Sequence, residues 1–459
     1  MNVTRPPFNP DQVYQQALSF HHAGKLNEAE KLYRQLLSYF PNEVGVLSPL
    51  GTLLLQLEKH DEGVAVLNQS LKIHPQQPDV FYNLGVELQK HTKLQEALEA
   101  YKQALKLNPK DINTLLNSGN TLKDLKRFDE AIIQYDQTVQ LEPRLASAYW
   151  NKSLIKILKG EYEEGWRLYE WGWQAGERKS MHQFGRPTWL GEEPLKEKTI
   201  LIYQEQGLGD FIQFCRYIPL LETMGANVLV AAPIALRSIL STLNANISFI
   251  EEGDEQTTID LVCPIMSLPL AFKTTLENIP CKTPYLFANQ NKKTEWNERL
   301  GTKIKPRIGI VWSGSMTNKI DLDPLSRRNI SLDQLKPIFE LPLEFHALQK
   351  EFRPEDLLTL NNISNIHVHD QNLHDFSDTA ALIEEMDLVI SVCTSVAHLS
   401  GAMNHPTWVL LPHSPDYRWM LDRSDSPWYP SLELFRQTEI ENWSSVISHI
   451  TNKLQEKFL

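Results

Sequence analysis

From Pro10 to about residue 175 the apolar positions recur with helical spacing, and the helices themselves recur every 34 residues. Tyr33, Leu67, Tyr101 and Tyr135 hold one phase of the period. Ala29, Gly63, Ala97 and Ala131 hold a second, and Ala17, Gly51, Gly85 and Gly119 a third. Pro41, Pro75, Pro109 and Pro143 close the four periods. Small residues fall where two helices must touch closely, large ones where a hole must be filled, and proline where a helix must stop. Each period therefore predicts a helix–turn–helix unit that stacks on the last. A fifth, degenerate period begins near Ala146, with Gly165 and Tyr169 in register. Its second helix carries Tyr162, Trp166, Tyr169, Trp171 and Trp173. This reads as a hydrophobic cap that docks the array onto the next domain, with ligand stacking on the rings as the alternative.

Residues 176–198 lose this period (FGRPTWLGEEPLKEK) and read as a linker. From Thr199 short apolar runs alternate with amphipathic stretches. TILIY, NVLVAAP and IDLVCPI are expected strands, with QGLGD as a tight turn and FIQFCRYIPLLETMG as one helix ending at Gly225. A second set runs through RIGIVWSG, LEFHALQ, NIHVHD, a helix over 377–386, DLVISV, the helix TSVAHLSGAM, and TWVLLP. Strand–helix alternation implies parallel sheets covered on both faces. The expected fold is thus an α-helical solenoid over 10–175, followed by two Rossmann-like α/β domains facing a cleft. These span 199–300 and 303–440, and a last helix in 441–459 packs back across them. The 34-residue unit resembles the tetratricopeptide (TPR) repeat. That resemblance implies a surface for holding a protein or peptide, and leaves the chemistry to the α/β region.

Composition narrows the partners. The 459 residues are 42% hydrophobic and 22% charged, which suits a globular chain, and the net charge is −12. An acidic balance argues against nucleic acid, whose phosphates need a basic surface. Cys215, Cys263, Cys281 and Cys393 contain no CxxC pair, so neither a disulfide framework nor a cysteine zinc site is expected. The start MNVTRPPFNP has no signal-like apolar core, and no apolar run reaches membrane length. A cytoplasmic protein without a transmembrane segment is expected.

Ligands of such sheets bind at the carboxyl ends of the strands, where Gly207–Asp210 and Thr394–His398 both fall. Gly207 and Gly209 let backbone approach a ligand, and Asp210 opens the next helix, where it also serves as a cap. Thr394, Ser395 and His398 follow a strand end and open a helix suited to a diphosphate; a capped helix with a core histidine is the other reading. Ser313 and Gly314 lead into a basic loop with Lys319, Arg327 and Arg328, whose charge can compensate a leaving diphosphate. Gln349, which closes LEFHALQ, completes the donor-binding set. Asp321-Leu322-Asp323 imitates a metal-binding DxD but reads as chance. His367, His369 and His374 lack a fourth ligand at fixed spacing, so no metal is assigned.

EQGLGDFIQFCRYIPLL, RIGIVWSG, FSDTAALIEEMDLVISVCTSVAHLSGAM and PDYRWMLDRSDSPWYPSLELFRQ, in that order, resemble segments of bacterial TPR-linked glycosyltransferases. These are related to the ADP-heptose:lipopolysaccharide heptosyltransferases, and the likeness runs from about Gly160 to Gln437. The layout also resembles O-GlcNAc transferase and flagellin glycosyltransferases. The resemblance implies a GT-B architecture with a nucleotide-sugar donor in the C-terminal domain, no metal and no further cofactor. It puts the catalytic base of an inverting transfer on Asp210 and the phosphate-binding helix start on Thr394, Ser395 and His398. The family usually has Asp before the Thr-Ser pair, where this chain has Cys393. That departure implies weaker donor binding, a different donor, or a fold that no longer catalyses; a reactive thiol is a further reading. Asn83, Asn117 and Asn151 follow the 34-residue period on the first helices. They resemble the asparagine ladder of the O-GlcNAc transferases, although Gln15 and Pro49 interrupt it. An amide ladder holds an extended peptide through its backbone, which points to a protein acceptor such as a flagellin. An inactive TPR adaptor and a lipid or polysaccharide glycosyltransferase are the alternatives.

Overall fold

Every 34-residue period folds into two helices, and each period's proline stands two residues beyond the second. The computed structural model describes residues 8–178, 185–250, 258–280, 282–314 and 328–459. Its helices α1 (Pro10–His22), α2 (Leu26–Tyr39), α3 (Val44–Gln56), α4 (His60–Ile73), α5 (Pro78–Lys90) and α6 (Leu94–Leu107) form the first three pairs. Then come α7 (Ile112–Asp124), α8 (Phe128–Leu141), α9 (Ala146–Leu158) and α10 (Tyr162–Tyr169). The periodic glycines are packing sites. A Cβ on Gly85 would stand 2.5 Å from Tyr101, one on Gly119 2.6 Å from Tyr135, and one on Gly51 2.5 Å from Leu67. The turn inside each pair needs one left-handed residue: Gly24 (φ 72°), Glu58 (58°), Thr92 (57°), Lys126 (59°) and Gly160 (81°). The backbone keeps its period here although the side chains do not.

The chain divides into two compact units, Met1–Asn151 and Lys152–Leu459. Helix α10 belongs to the second. Trp166 is buried among Tyr169, Phe214 and Tyr417, with ring centroids 5.5, 5.9 and 6.1 Å away. The Trp428 indole donates to the Tyr162 hydroxyl at 3.1 Å. These aromatics thus build a core within the second unit.

That unit holds two all-parallel sheets. The first contains β1 (Thr199–Tyr203), β2 (Asn227–Ala231), β3 (Ile247–Phe249) and β4 (Leu261–Pro264), in the order β3-β2-β1-β4. The second contains β5 (Arg307–Val311), β6 (Glu344–Ala347), β7 (Ile366–Val368), β8 (Leu388–Val392), β9 (Thr407–Leu411) and β10 (Leu432–Arg436), in the order β10-β9-β8-β5-β6-β7. This is the doubly wound strand order, and it reverses direction between β5 and β8. The first sheet reverses between β1 and β4. Strands β5, β8 and β9 are buried at every position, as strands covered on both faces must be.

The connecting helices are α11 (Leu208–Phe214), α12 (Ile218–Thr223), α13 (Ile234–Leu240), α14 (Leu268–Ala271), α15 (Gln290–Leu300), α16 (Lys336–Phe339), α17 (Pro354–Leu360), α18 (Phe376–Glu384), α19 (Ser395–Ala402) and α20 (Ser444–Phe458). One expectation changes. The single helix expected up to Gly225 is broken by a 3-10 turn at Cys215–Tyr217. Pro219 lacks the N–H that an unbroken helix would bond to Cys215, and its ring would meet that carbonyl. Helix α20 packs on the second sheet. Its Val446, Ile447, Ile450 and Leu454 join the core of the second sheet with Trp408 and Phe435. No helix among the described residues is long and apolar enough to cross a membrane.

Candidate functional site

The chain leaves β1, turns through Gln204–Gly207 and enters α11; it leaves β8, turns at Cys393 and Thr394 and enters α19. These two helix starts meet. A Cβ on Gly209 would stand 2.9 Å from His398 Cδ2 and 3.4 Å from Ser395 Cα, so Gly209 admits protein here. Asp210 lies in the first turn of α11, where its Oδ2 accepts from the Gly207 N–H at 2.8 Å. Its Oδ1 pairs with Arg418 Nη2, which ties the two sheets' ends together. Arg418 Nη1 also donates to both carboxylate oxygens of Asp416, at 2.7 and 2.8 Å. Burial pushes the Asp210 carboxyl above the usual carboxylate range, against the pull of Arg418 and with a smaller push from Asp416.

At the start of α19 no side chain caps the first turn. Thr394 stands at the cap position, but its hydroxyl lies 3.1 Å from that of Ser391. Ser395 is half-buried at the first helical position. His398 is buried, with Nδ1 3.0 Å from the Tyr429 hydroxyl and its ring stacked on Trp419 at 5.1 Å. Burial, then Arg418 and Arg216, hold it well below its ordinary value, so it is neutral at pH 7. Cys393 accepts from the Trp419 indole N–H at 2.8 Å, and burial pushes its thiol up to about 11. A protonated thiol is a poor nucleophile, which removes the reactive-thiol reading.

At the end of β5, Gln349 Oε1 accepts from the N–H groups of Trp312 and Ser313, at 3.0 and 3.3 Å. Its Nε2 donates to Ser313 Oγ at 3.0 Å and to the Glu351 carbonyl at 2.9 Å. Gln349 and Ser313 thus hold each other and shape the strand end. Gly314 has a different reason to be glycine: a Cβ would stand 2.7 Å from Arg328 Nη2. Arg328 Nη1 donates to the Cys393 carbonyl at 2.8 Å, so this guanidinium spans the switch point between β5 and β8. Lys319, Arg327, Asp321 and Asp323 lie outside the described residues. Cavities of about 570 and 420 Å³ open elsewhere, beside Tyr162 and Thr275 and beside Asn297 and Arg307.

Two charged groups at the first switch point, and Arg418 itself, were not singled out from the sequence. Glu205 follows β1, and its Oε1 accepts from Arg178 Nη2 at 2.9 Å and from the Met266 N–H at 3.1 Å. Arg178 also donates to Glu170 at 2.7 Å and Ser267 at 2.8 Å. Both side chains are fully buried, and burial raises Glu205 to about 7 despite Arg178. A carboxylate directly after an apolar strand was the available signal, but its partner lies 27 residues earlier.

The histidines sort differently from expectation. His369 Nε2 meets His346 Nδ1 at 3.0 Å, while the His374 N–H donates to Asp378, so the three expected neighbours do not converge. Burial, then the neighbouring His369, lowers His346 to about 3, although Glu344 Oε1 lies 3.1 Å from its Nε2. Burial lowers His369 to about 4. In the unfolded chain both take up protons near pH 6.5. The unfolded state then binds more protons than the folded one between pH 6.5 and 4. Stability is complete above pH 6.5 and falls as the pH drops through that window. At pH 5 the loss is about 2 kcal/mol per histidine. Urea midpoints at pH 7.5 and 5.0 will show this fall, and His346→Gln will reduce it; equal midpoints would exclude it.

The three asparagines do form a row. Asn83 Nδ2 donates to Thr52 at 2.9 Å, Asn117 Nδ2 to Tyr82 at 3.2 Å and Asn151 Nδ2 to Asn120 at 2.9 Å. Each amide therefore reaches back to the first helix of the preceding pair.

Residues 20–82, 78–111 and 112–145 match models of the tetratricopeptide repeat. Protein FlbA of Caulobacter vibrioides (strain ATCC 19089 / CIP 103742 / CB 15) is 24% identical over 340 residues, covering 68% of this chain and 55% of FlbA. The chain thus spans about half the length of the curated relative it matches. The matched stretch is longer than the repeats, so the likeness enters the α/β region. Among solved structures, MamA is 21% identical and covers 35% of this chain and 94% of its own, with a TM-score of 0.34. YrrB, described as a TPR protein with an unusual peptide-binding site, is 20% identical and covers 36% and 86%, with a TM-score of 0.34. The chain carries tetratricopeptide repeats over residues 20–145, followed by an α/β region of two parallel sheets.

Proposed function

We propose that this protein is an inverting glycosyltransferase of GT-B type. It moves a sugar from a nucleotide diphosphate to a hydroxyl of a protein acceptor held by the repeats, without a metal. The observation that carries this reading is the grouping at the second sheet's switch point. Arg328 spans the ends of β5 and β8, Arg418 lies beside them, and the uncapped start of α19 adds its N–H groups. Two guanidiniums and a helix start suit a diphosphate. In the resting chain Arg418 is held by Asp210 and Asp416. A bound diphosphate competes for Arg418 and leaves Asp210, whose basicity burial has raised, to accept the proton of the acceptor hydroxyl. The leaving diphosphate then keeps both guanidiniums as counter-charge.

The acceptor side rests on the asparagine row. Each amide donates sideways, and among the described residues no donor reaches the Oδ1 of Asn83, Asn117 or Asn151. Those oxygens suit the N–H groups of an extended peptide. One observation favours the inactive adaptor instead: Cys393 stands where the resembled family has a carboxylate, and its thiol is engaged by Trp419.

Calorimetric titration with UDP, GDP, ADP, CDP and CMP tests the site. One nucleotide will bind in the micromolar range, and Arg328→Met will weaken it about 10-fold or more. With the donor so identified, Asp210→Asn will lower kcat at saturation by roughly 10²–10⁴-fold. No binding of any nucleotide would move the reading to the adaptor, and full turnover by Asp210→Asn would remove Asp210 as base.

A further inference from the structure

Three positions of the solenoid depart together from its period. The first residue of a second helix is Leu26 in α2 and Leu94 in α6, but His60 in α4. The residue facing it in the next pair's first helix is Leu53 in α3 and Thr121 in α7, both buried, but Glu87 in α5. The residue after that helix is Leu57 and Leu125, but His91. Leu26, Leu53 and Leu57 pack in one apolar cluster. At the next seam the same three positions are His, Glu and His.

These side chains converge. His60 Nδ1 meets Glu87 Oε1, and His91 Nε2 lies 3.0 Å from the same oxygen. The two imidazole rings are 4.8 Å apart and nearly perpendicular, and the three candidate ligand atoms all lie within 4.8 Å of one another. Glu87 is 2% exposed, and among the described residues its other oxygen faces the Lys90 ammonium at 3.7 Å. Among the described residues His60 Nδ1 is buried and has no hydrogen-bond partner, although it touches the carboxylate. Hydrogen bonding accounts for the His91–Glu87 contact but not for the close approach of His60 to the same oxygen. A buried carboxylate in place of leucine loses packing and needs compensating charge.

We infer that His60, Glu87 and His91 bind a zinc-class divalent cation that pins α4 to α5. Two imidazole nitrogens and one carboxylate oxygen are a known three-ligand zinc set, with the fourth position left to water. Glu87 on α5 and His91, the residue that caps it, are one helical turn apart, and His60 closes the set from the neighbouring pair. Ligand bonds of about 2.0–2.2 Å place neighbouring ligand atoms roughly 3.3 Å apart, which a turn of the half-exposed imidazoles supplies. The dication neutralises Glu87 and replaces the apolar contact of the α2–α3 seam with coordination. No metal was assigned from the sequence because short, fixed ligand spacing is the local signal, and these ligands come from two repeats.

The test uses the full chain, stripped with a chelator and titrated with zinc ion alone by calorimetry. One equivalent will bind at micromolar affinity or tighter, and cobalt(II) in its place will give the visible absorption of a four-coordinate site. The variant His60→Leu/Glu87→Leu/His91→Leu restores the neighbouring seam's residues, so it will keep its helical circular dichroism and lose that equivalent. Glu87→Gln, which keeps the shape, will weaken binding about 10-fold or more. Absence of zinc binding by the native chain would overturn the proposal, as would undiminished binding by the triple-leucine variant.

Discussion

Arg418→Met will destabilise the second unit by about 3–5 kcal/mol, as removal of one partner from a buried ion pair does. Arg418 is 8% exposed and Asp210 15%. Without the guanidinium, Asp210 keeps the Gly207 N–H and the weaker attraction of Arg328, and its charge is left in the low-dielectric seam between the two helix starts. Methionine retains much of the stem, so the loss reports charge more than volume. Urea unfolding at pH 7 followed by tryptophan fluorescence measures it. Adding Asp210→Asn to the variant will recover a large part of the loss, because the uncompensated charge is then gone. Acidification will narrow the gap between native and Arg418→Met chains, since a buried Asp210 without its partner protonates readily. A loss below about 1 kcal/mol would mean that solvent screens the pair, as at an exposed ion pair.

Trp166→Ala will cost about 3–5 kcal/mol, the usual range for deleting a buried tryptophan. Trp166 is 1% exposed and touches Tyr162, Tyr169, Phe214 and Tyr417. No smaller residue fills that space, and four rings lose an edge-to-face or tilted partner. Its indole N–H has no hydrogen-bond partner among the described residues. Trp166→Phe therefore gives up area without breaking a hydrogen bond, and its cost will be about half that of alanine or less. The same urea titration separates the two. Equal, small losses for both would mean that α10 is not part of the unit's core.

Much of the architecture was legible because its signals are local. Proline at 41, 75, 109 and 143 stops a helix wherever it stands, and an apolar run such as LVISV reads as a strand covered on both faces. The glycine–tyrosine complementarity of Gly85 with Tyr101 was readable because the period brings both back in phase. The 3-10 break at Cys215–Tyr217 was missed although Pro219 stood in view, because the amphipathic pattern continues across it. The left-handed turn residues were hidden for the opposite reason. Glu58, Thr92 and Lys126 adopt a glycine-like φ because the helices on either side demand it, and their own chemistry does not announce it.

The site divides along the same line. The sequence alone determined the repeat array, the alternation of strands with helices, and that Gly207–Asp210 and Thr394–His398 fall at strand ends; the short strands β3 and β10 were not read from it. Spacing, hydrophobic period and turn chemistry act over a few residues, so one chain suffices to read them. Only the tertiary structure decided the partners. Asp210 meets Arg418 across 208 residues, Arg328 meets the Cys393 carbonyl across 65, and Arg178 joins Glu205 under the first sheet. Likewise His60, Glu87 and His91 become one cluster only when two repeats stack. Such pairings depend on strand order and helix packing, which place distant residues side by side, and no local pattern encodes them.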